Sequence, residues 1–331
     1  MDMFNYRLNV KLDYYYKYTS SLIYDIPIPG SLYAFGAQVE NAMEISNEGL
    51  ELELQADILR ESAVSWRMKF NMARNWNRFE KSYSGKDVVD GDGTLLVVGR
   101  PLNGLYVWAH RGYYNSDAEV PRLYKIDGQE IYFNGVATNG ISGAVGDYRL
   151  LDLDGDGNPD SYYAGSPLPL AHGGWVNELM WKNFDLNILV NFTIGRKMIN
   201  NRMGLGFSRQ SEDGHLTKLF DYRKLRPWDG VNKKPNAPAW GNSLSMNTDS
   251  AIEKVHHLAL KQITLGYNLP DRISKKAGLS GVRFFLTAEN LFYLSNYSGG
   301  NPEVVNIYTG RDNGDTYPLP RKYTLGLTLN F

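Results

Sequence analysis

The sequence predicts an all-β chain: an antiparallel transmembrane β-barrel segment of about nine long strands with long extracellular loops. Three observations predict it. Apolar and polar residues alternate with a period of two over runs longer than the roughly 5–6 residues usual in soluble sheets, and these runs reach the roughly 9–11 that span a bilayer. Aromatic residues gather toward the ends of the runs, in a chain with 23 Tyr and 7 Trp. Short connections alternate with long ones, as in barrels that turn tightly on one side of a membrane and loop widely on the other.

The first run places Tyr6, Leu8, Val10, Leu12, Tyr14 and Tyr16 on one parity, with Arg7, Asn9, Lys11, Asp13 and Lys17 on the other. Successive strand side chains point to opposite faces, so one face is apolar and one charged. The second, "NEGLELELQADI", sets Leu50, Leu52, Leu54, Ala56 and Ile58 against Glu51, Glu53, Gln55 and Asp57. The third sets Trp66, Met68, Phe70 and Met72 against Arg67, Lys69 and Asn71. Arg74 falls on its apolar parity, where a lipid-facing midplane cation would cost roughly 2–4 kcal/mol. It must therefore sit near an interface or beside a bulge.

Residues 80–172 are rich in Gly, Asp, Asn and Pro and read as large functional loops. Alternation returns at 173–183 and at "FDLNILVNFTIG" (184–195), joined by a hairpin turn at Lys182-Asn183. A second polar loop covers roughly 197–254. "HLALKQITLGYNLP", "SGVRFFLTAENLFYL" and the closing "RKYTLGLTLNF" follow. The apolar parities of 184–195 and 323–331 carry no Arg or Lys.

Length and charge exclude several classes. The 331 residues suffice for a sizeable core, and no apolar run approaches a membrane-spanning helix. Lys+Arg 35 against Asp+Glu 36 gives no basic surface for nucleic acid. With no cysteine there is no disulfide, thiolate metal site or cysteine nucleophile. The opening residues lack a signal-peptide pattern and begin within a strand pattern.

In order along the chain, "DYYYKYTSSLIYDIPIPGS", "NEGLELEL", "WRMKFNMARNWN", "LDLDGDGNPD", "WKNFDLNILVNFTIG", "LKQITLGYNLP", "VRFFLTAENLF" and "NYSGGNPEV" resemble SusC/RagA-type TonB-dependent outer-membrane transporters of Bacteroidetes, in the C-terminal half of their barrel. The last strand, ending on Phe331, is similar to the signal read by outer-membrane assembly machinery; an ordinary amphipathic strand is the plainer reading. The resemblance implies a barrel of about 22 strands filled by a plug. It also implies a TonB complex acting through that plug, and a SusD-like surface lipoprotein that captures glycan or peptide substrate. Outer-membrane lipid would surround the wall. On this reading residues 1–331 are the C-terminal portion of the barrel, with plug domain, TonB box and signal peptide absent. Such a fragment is expected to import nothing alone.

The stretch 151–160 carries the one constellation with metal-ligand spacing. Against the calcium-loop pattern, Asp152, Asp154 and Asp156 take positions 1, 3 and 5, Gly157 the turn, Asn158 a backbone carbonyl and Asp160 position 9. The twelfth position, which should be a bidentate carboxylate, is Tyr163. A weak structural calcium site and a metal-free Asp/Gly turn both remain open, and no cofactor is required.

His256 and His257 are adjacent on a strand and should face opposite ways rather than chelate one ion. Glu51 and Glu53 share a polar face; a charged lumen explains them better than a glycosidase pair. Asn191-Phe192-Thr193 is a glycosylation sequon inside a strand. Tyr113, Tyr114, Trp228 and Trp240 could stack on sugars, contact a lid protein or pack loops together. No enzyme motif is present, and the alternative function is a soluble Ca-dependent β-sheet carbohydrate-binding module.

Overall fold

A computed structural model describes residues 2–27, 37–60, 62–89, 95–120, 122–124, 130–132, 145–155, 160–201, 226–231, 234–239, 248–314 and 316–331. Eight long strands dominate it. They are β1 (Leu8–Pro27), β2 (Ala37–Leu59), β3 (Val64–Lys81), β4 (Ala171–Trp181), β5 (Phe184–Asn200), β6 (Ile252–Asn268), β7 (Gly281–Ser295) and β8 (Lys322–Asn330). Each pairs antiparallel with the next in sequence, and two short strands complete a ten-stranded sheet. Asp2–Met3 folds back on β1, and Arg311–Asp312 runs parallel beside the end of β5.

The connections sort onto two ends. At the turn end, β2 and β3 join by a few residues, β4 and β5 by Lys182-Asn183, and β6 and β7 by a segment holding the short helix Asp271–Lys276. Lys182 takes φ 53°, the left-handed conformation a tight hairpin requires. The other connections all leave from the opposite, loop end.

Register explains why the sheet has two chemical faces. Val64, Trp181, Phe184, Tyr267, Phe284 and Leu327 stand in one cross-strand row at the turn end. Leu52, Met72, Gly173, Phe192, Leu258 and Leu294 form another near the loop end. From Phe184 to Phe192 is about 27 Å along the strand, or about 20 Å of height at the usual barrel tilt, close to an apolar band of about 25 Å. The rows between them are mostly apolar on this outward face.

Two irregularities keep the faces in phase. Lys261 is an extra residue between Leu260 and Gln262 relative to β5. It lets Leu258 and Leu260 share a face with Ile263, Leu265 and Tyr267 although their parity differs. Asn290, at φ 52°, absorbs the mismatch on β7. Arg74 needs no bulge: it pairs with Leu50 in unbroken register, beyond Met72 toward the loop end. Its guanidinium lies 4.5 Å from the Trp76 ring centroid, which places it at the edge of the apolar band.

The packed cores lie at the loop end rather than in the wall. Met43, Phe79, Val88 and Leu96 form one cluster. Leu105, Val107, Ala164 and Ile199 form a second, and Met198, Val255, Tyr297 and Val305 a third.

Candidate functional site

The inward face of the sheet carries polar and charged side chains held by cross-strand partners. Lys11 meets Glu53 at 3.3 Å, Arg67 meets Asp57 at 2.6 Å and Lys69 meets Glu178 at 2.7 Å. Arg283 grips Asp185 through two contacts, Nη2 to Oδ2 at 2.5 Å and Nε to Oδ1 at 3.2 Å. That pair spans β5 to β7 over the intervening β6, and only a glycine permits it. A Cβ at Gly266 would collide with both the Asp185 carboxylate and the Arg283 guanidinium. Gly49 does the same for Tyr15, whose hydroxyl donates to Asn75 Oδ1 at 3.3 Å from β1 to β3. Glu53 is thus an ion-pair member, as the charged-lumen reading of Glu51 and Glu53 expects.

The outward face has one polar intruder among its middle rows. Asn177 accepts a hydrogen bond from the Trp66 indole at 3.1 Å, so its amide oxygen is satisfied among apolar neighbours.

Above the wall, the long connection after β3 folds into a small body of paired strands. Leu105–Trp108 pairs with Ser161–Gly165, and His110–Tyr113 with Tyr148–Leu150. Asp152, Asp154 and Asp160 stand at its tip, each offering a carboxylate oxygen within 4.8 Å of the others. That spacing fits three oxygens around one calcium ion. Asp160 Oδ2 also accepts the backbone amides of Leu153 at 2.5 Å and Asp154 at 3.2 Å, and Asp152 Oδ1 accepts that of Gly155 at 2.6 Å. Asp156, Asn158 and the intervening Gly157 lie outside the described residues. Tyr163, at the twelfth position, lies in the second of these paired strands, its ring tilted against that of Tyr106 with centroids 5.6 Å apart.

Of the four loop aromatics, Tyr114 is buried at 4% exposure and Tyr113 stacks on Tyr148 at 5.4 Å. Trp228 donates to Asn115 Oδ1 at 3.2 Å. All three pack loops together; Trp240 lies outside the described residues. Burial pushes the Tyr113, Tyr114 and Tyr148 hydroxyls up from their ordinary range. His256 and His257 part as expected: His256 is exposed, whereas His257 is half-buried beside Glu303.

These features are those of a two-faced β-wall with decorated loops, a fold that comparison with known proteins also finds. Over 99% of its length the chain is 29% identical to TonB-dependent receptor P26 of Formosa agariphila, of which it covers 33%. It is 25% identical to TonB-dependent receptor SusC of Bacteroides thetaiotaomicron, over 99% of this chain and 30% of that one. The chain is a homologue of TonB-dependent receptors. No family model matches it. It spans about a third of the length of the curated relatives it matches. The whole chain also superimposes on 34% of a chain of the RagAB peptide transporter, with a TM-score of 0.75 at 22% identity. The fold is therefore part of a receptor barrel.

Sequence reasoning missed the junction that ties the receptor loops together. His110 Nδ1 bonds Asp249 Oδ1, and the Tyr162 hydroxyl donates to Asp249 Oδ2 at 3.1 Å. Asp249 opens the short turn that leads into β6, so this knot fixes the loop body to the wall. His110 and Asp249 are 139 positions apart, and neither belongs to a local motif.

Proposed function

We propose that this chain forms part of the barrel wall of a TonB-dependent nutrient importer in the bacterial outer membrane. It works with a SusD-like surface lipoprotein, and its substrates are oligosaccharides or peptides. The observation that carries this reading is the sheet's two-facedness: an apolar outward face bounded at the turn end by an aromatic-rich row, backed by an inward face of paired charges. A bilayer demands the first face and a hydrated lumen the second. The homologues support the reading in kind, since they are receptors and transporters.

In this reading the turn end is periplasmic and the loop end extracellular, where the lid lipoprotein docks. Energy from the TonB complex enters through a plug to which the wall presents its charged face. No catalytic role is proposed. The Asp152–Asp160 turn is a structural calcium clip, supported by its three converging carboxylates, and no transport step passes through it.

Fractionation of cells producing the native protein tests the reading. The protein should sediment with outer membranes and require detergent for release. Deleting its gene, or the TonB energy source, should abolish uptake of one labelled oligosaccharide or peptide class. Recovery in the soluble fraction without detergent would sink the wall assignment. Unchanged uptake across both substrate classes would sink the import role.

A further inference from the structure

We propose that the outward face of β4–β7 holds a site for one phosphate-bearing lipid of the outer leaflet, with an acyl chain in an apolar cleft and the headgroup on Lys254 and His256. The proposal rests on the barrel-wall reading above. The cleft has a volume of about 640 Å³ and is lined by Trp175, Phe192, Ile194, Leu258 and Leu294, with His256 and Asn296 at its rim. Register puts Phe192, Leu258 and Leu294 in one row, so the cleft sits where the apolar band gives way to the loop end. An acyl chain arriving from the bilayer meets it side-on.

Charge selects the headgroup. On β6 the outward positions after Leu258 are His256 and Lys254, both exposed. The intervening Val255 points to the other face, where it packs with Met198 and Tyr297. The next outward residue, Ile252, is covered by the loop body through the cluster of Leu105, Val107, Ala164 and Ile199. Lys254 is therefore the last open outward position below the loops. A lysine at such a level lays its alkyl stem on apolar surface and lifts its ammonium toward the headgroups.

Nearby acids are turned away or engaged. Glu253 faces inward, accepting from Asn200 Nδ2 and the Ser298 amide, each at 2.9 Å. Glu303 holds Lys261 at 3.2 Å on the inward side. Glu48, on the outward face of β2, accepts from Tyr14 at 2.9 Å. Arg74, one rung past the Ala73–His172 pair, adds a further cation at the same level across β4 and β5.

The backbone beneath the headgroup side chains is also tied in place. The His256 amide donates to Asn296 Oδ1 at 2.7 Å, Asn296 Nδ2 donates to the Lys254 carbonyl at 2.8 Å, and the Ser295 hydroxyl donates to the His256 carbonyl at 3.0 Å. A pre-ordered site loses less entropy on binding than a mobile one.

Native mass spectrometry on the full chain, extracted from membranes in mild detergent, tests the site. The probes are phosphatidic acid and diacylglycerol with the same acyl chains. Wild type should retain phosphatidic acid about tenfold better. Lys254→Gln with His256→Gln should erase the preference while leaving acyl binding. Lys254→Arg should keep it, and Leu294→Trp, which fills the cleft, should weaken both lipids. Equal retention of the two lipids by wild type, or a preference surviving in the double variant, would overturn the proposal. Each variant is first checked for detergent-dependent recovery. A chain recovered without detergent would overturn the wall reading and this site together, whereas a detergent-dependent chain without phosphate preference would overturn the lipid site alone.

Discussion

Substitution of Ile188 by arginine tests the orientation of the whole sheet. Ile188 lies four residues from Phe184 and four from Phe192 on β5, with Asn177 and Ile263 beside it in register. It is thus about 14 Å along the strand from either row, near the middle of the apolar band. An outward arginine at that depth should cost about 2–4 kcal/mol, which lowers the folded-to-unfolded ratio about 30- to 900-fold. Asn187, its neighbour, faces inward between Glu178 and Thr264. Arginine there gains a carboxylate partner and water, and should change stability by no more than about 1 kcal/mol. Urea titration of the protein folded in phospholipid vesicles reads both variants, provided the m-value is unchanged. Equal costs at 187 and 188, or a larger cost at 187, would refute the assignment of faces.

Four further outcomes follow from single contacts. Trp66→Phe removes the donor that satisfies Asn177 and should cost about 1–3 kcal/mol, most of it recovered by adding Asn177→Leu; a lack of recovery in the same titration would show that the bond is irrelevant. Gly266→Ala should part Asp185 from Arg283 and cost about 1–2 kcal/mol, a cost that must shrink in an Asp185→Asn background if the pair is its cause. If the Asp152–Asp154–Asp160 turn binds calcium at about 10⁻⁴–10⁻³ M, chelation from 2 mM calcium should remove about 0.6–1.8 kcal/mol of loop stability. Proteolysis near the turn would then quicken, and Asp154→Asn would abolish the response; a chelator-insensitive loop means a metal-free turn. Burial raises the Tyr106 hydroxyl from 10.0 to about 12, so the fold favours its neutral form. That stabilisation is whole below pH 10 and is lost as the pH climbs toward 12. Several tyrosines titrate late here, so ultraviolet titration of Tyr106→Phe should show about one late-forming tyrosinate fewer than wild type, and an unchanged late amplitude would refute the assignment.

The wall was legible because a period of two is a local property. Leu186, Ile188 and Val190 declare their shared face without reference to any partner strand. The same logic located the Lys182-Asn183 turn and the parting of His256 from His257. The phase break at Lys261 is written in the sequence as a skip from Leu260 to Ile263, but it gains meaning only once β5 supplies a register. The loop body was illegible for a different reason. Leu105–Trp108 finds its partner in Ser161–Gly165, and strands so short carry too few alternations to stand out. At the candidate metal turn, spacing brought forward Asp152, Asp154 and Asp160, which converge. The His110–Asp249 contact has no spacing to read.

The most consequential illegible feature is where the two-faced rule stops. On β5 the alternation holds through Ile194, and then pairing with β6 slips between Thr193 and Arg196. Gly195 sits in that slip at φ 72°, its face so close to Leu170 that a Cβ would collide with the side chain. Beyond it, Met198 and Ile199 are adjacent yet both fully buried, one against Val255 and Tyr297 and the other against Leu105 and Val107. Adjacent strand residues point to opposite faces, so protein covers the sheet on both sides there. Lipid and lumen water can satisfy a sheet with one apolar face, but a strand rising past the bilayer edge needs other cover. The bulge at 193–196 marks that edge in the backbone itself. It also explains why Ile252, past the end of the band, can remain apolar: the loop body covers it, where the barrel-wall reading gives Leu258 and Leu260 lipid lower on the same strand.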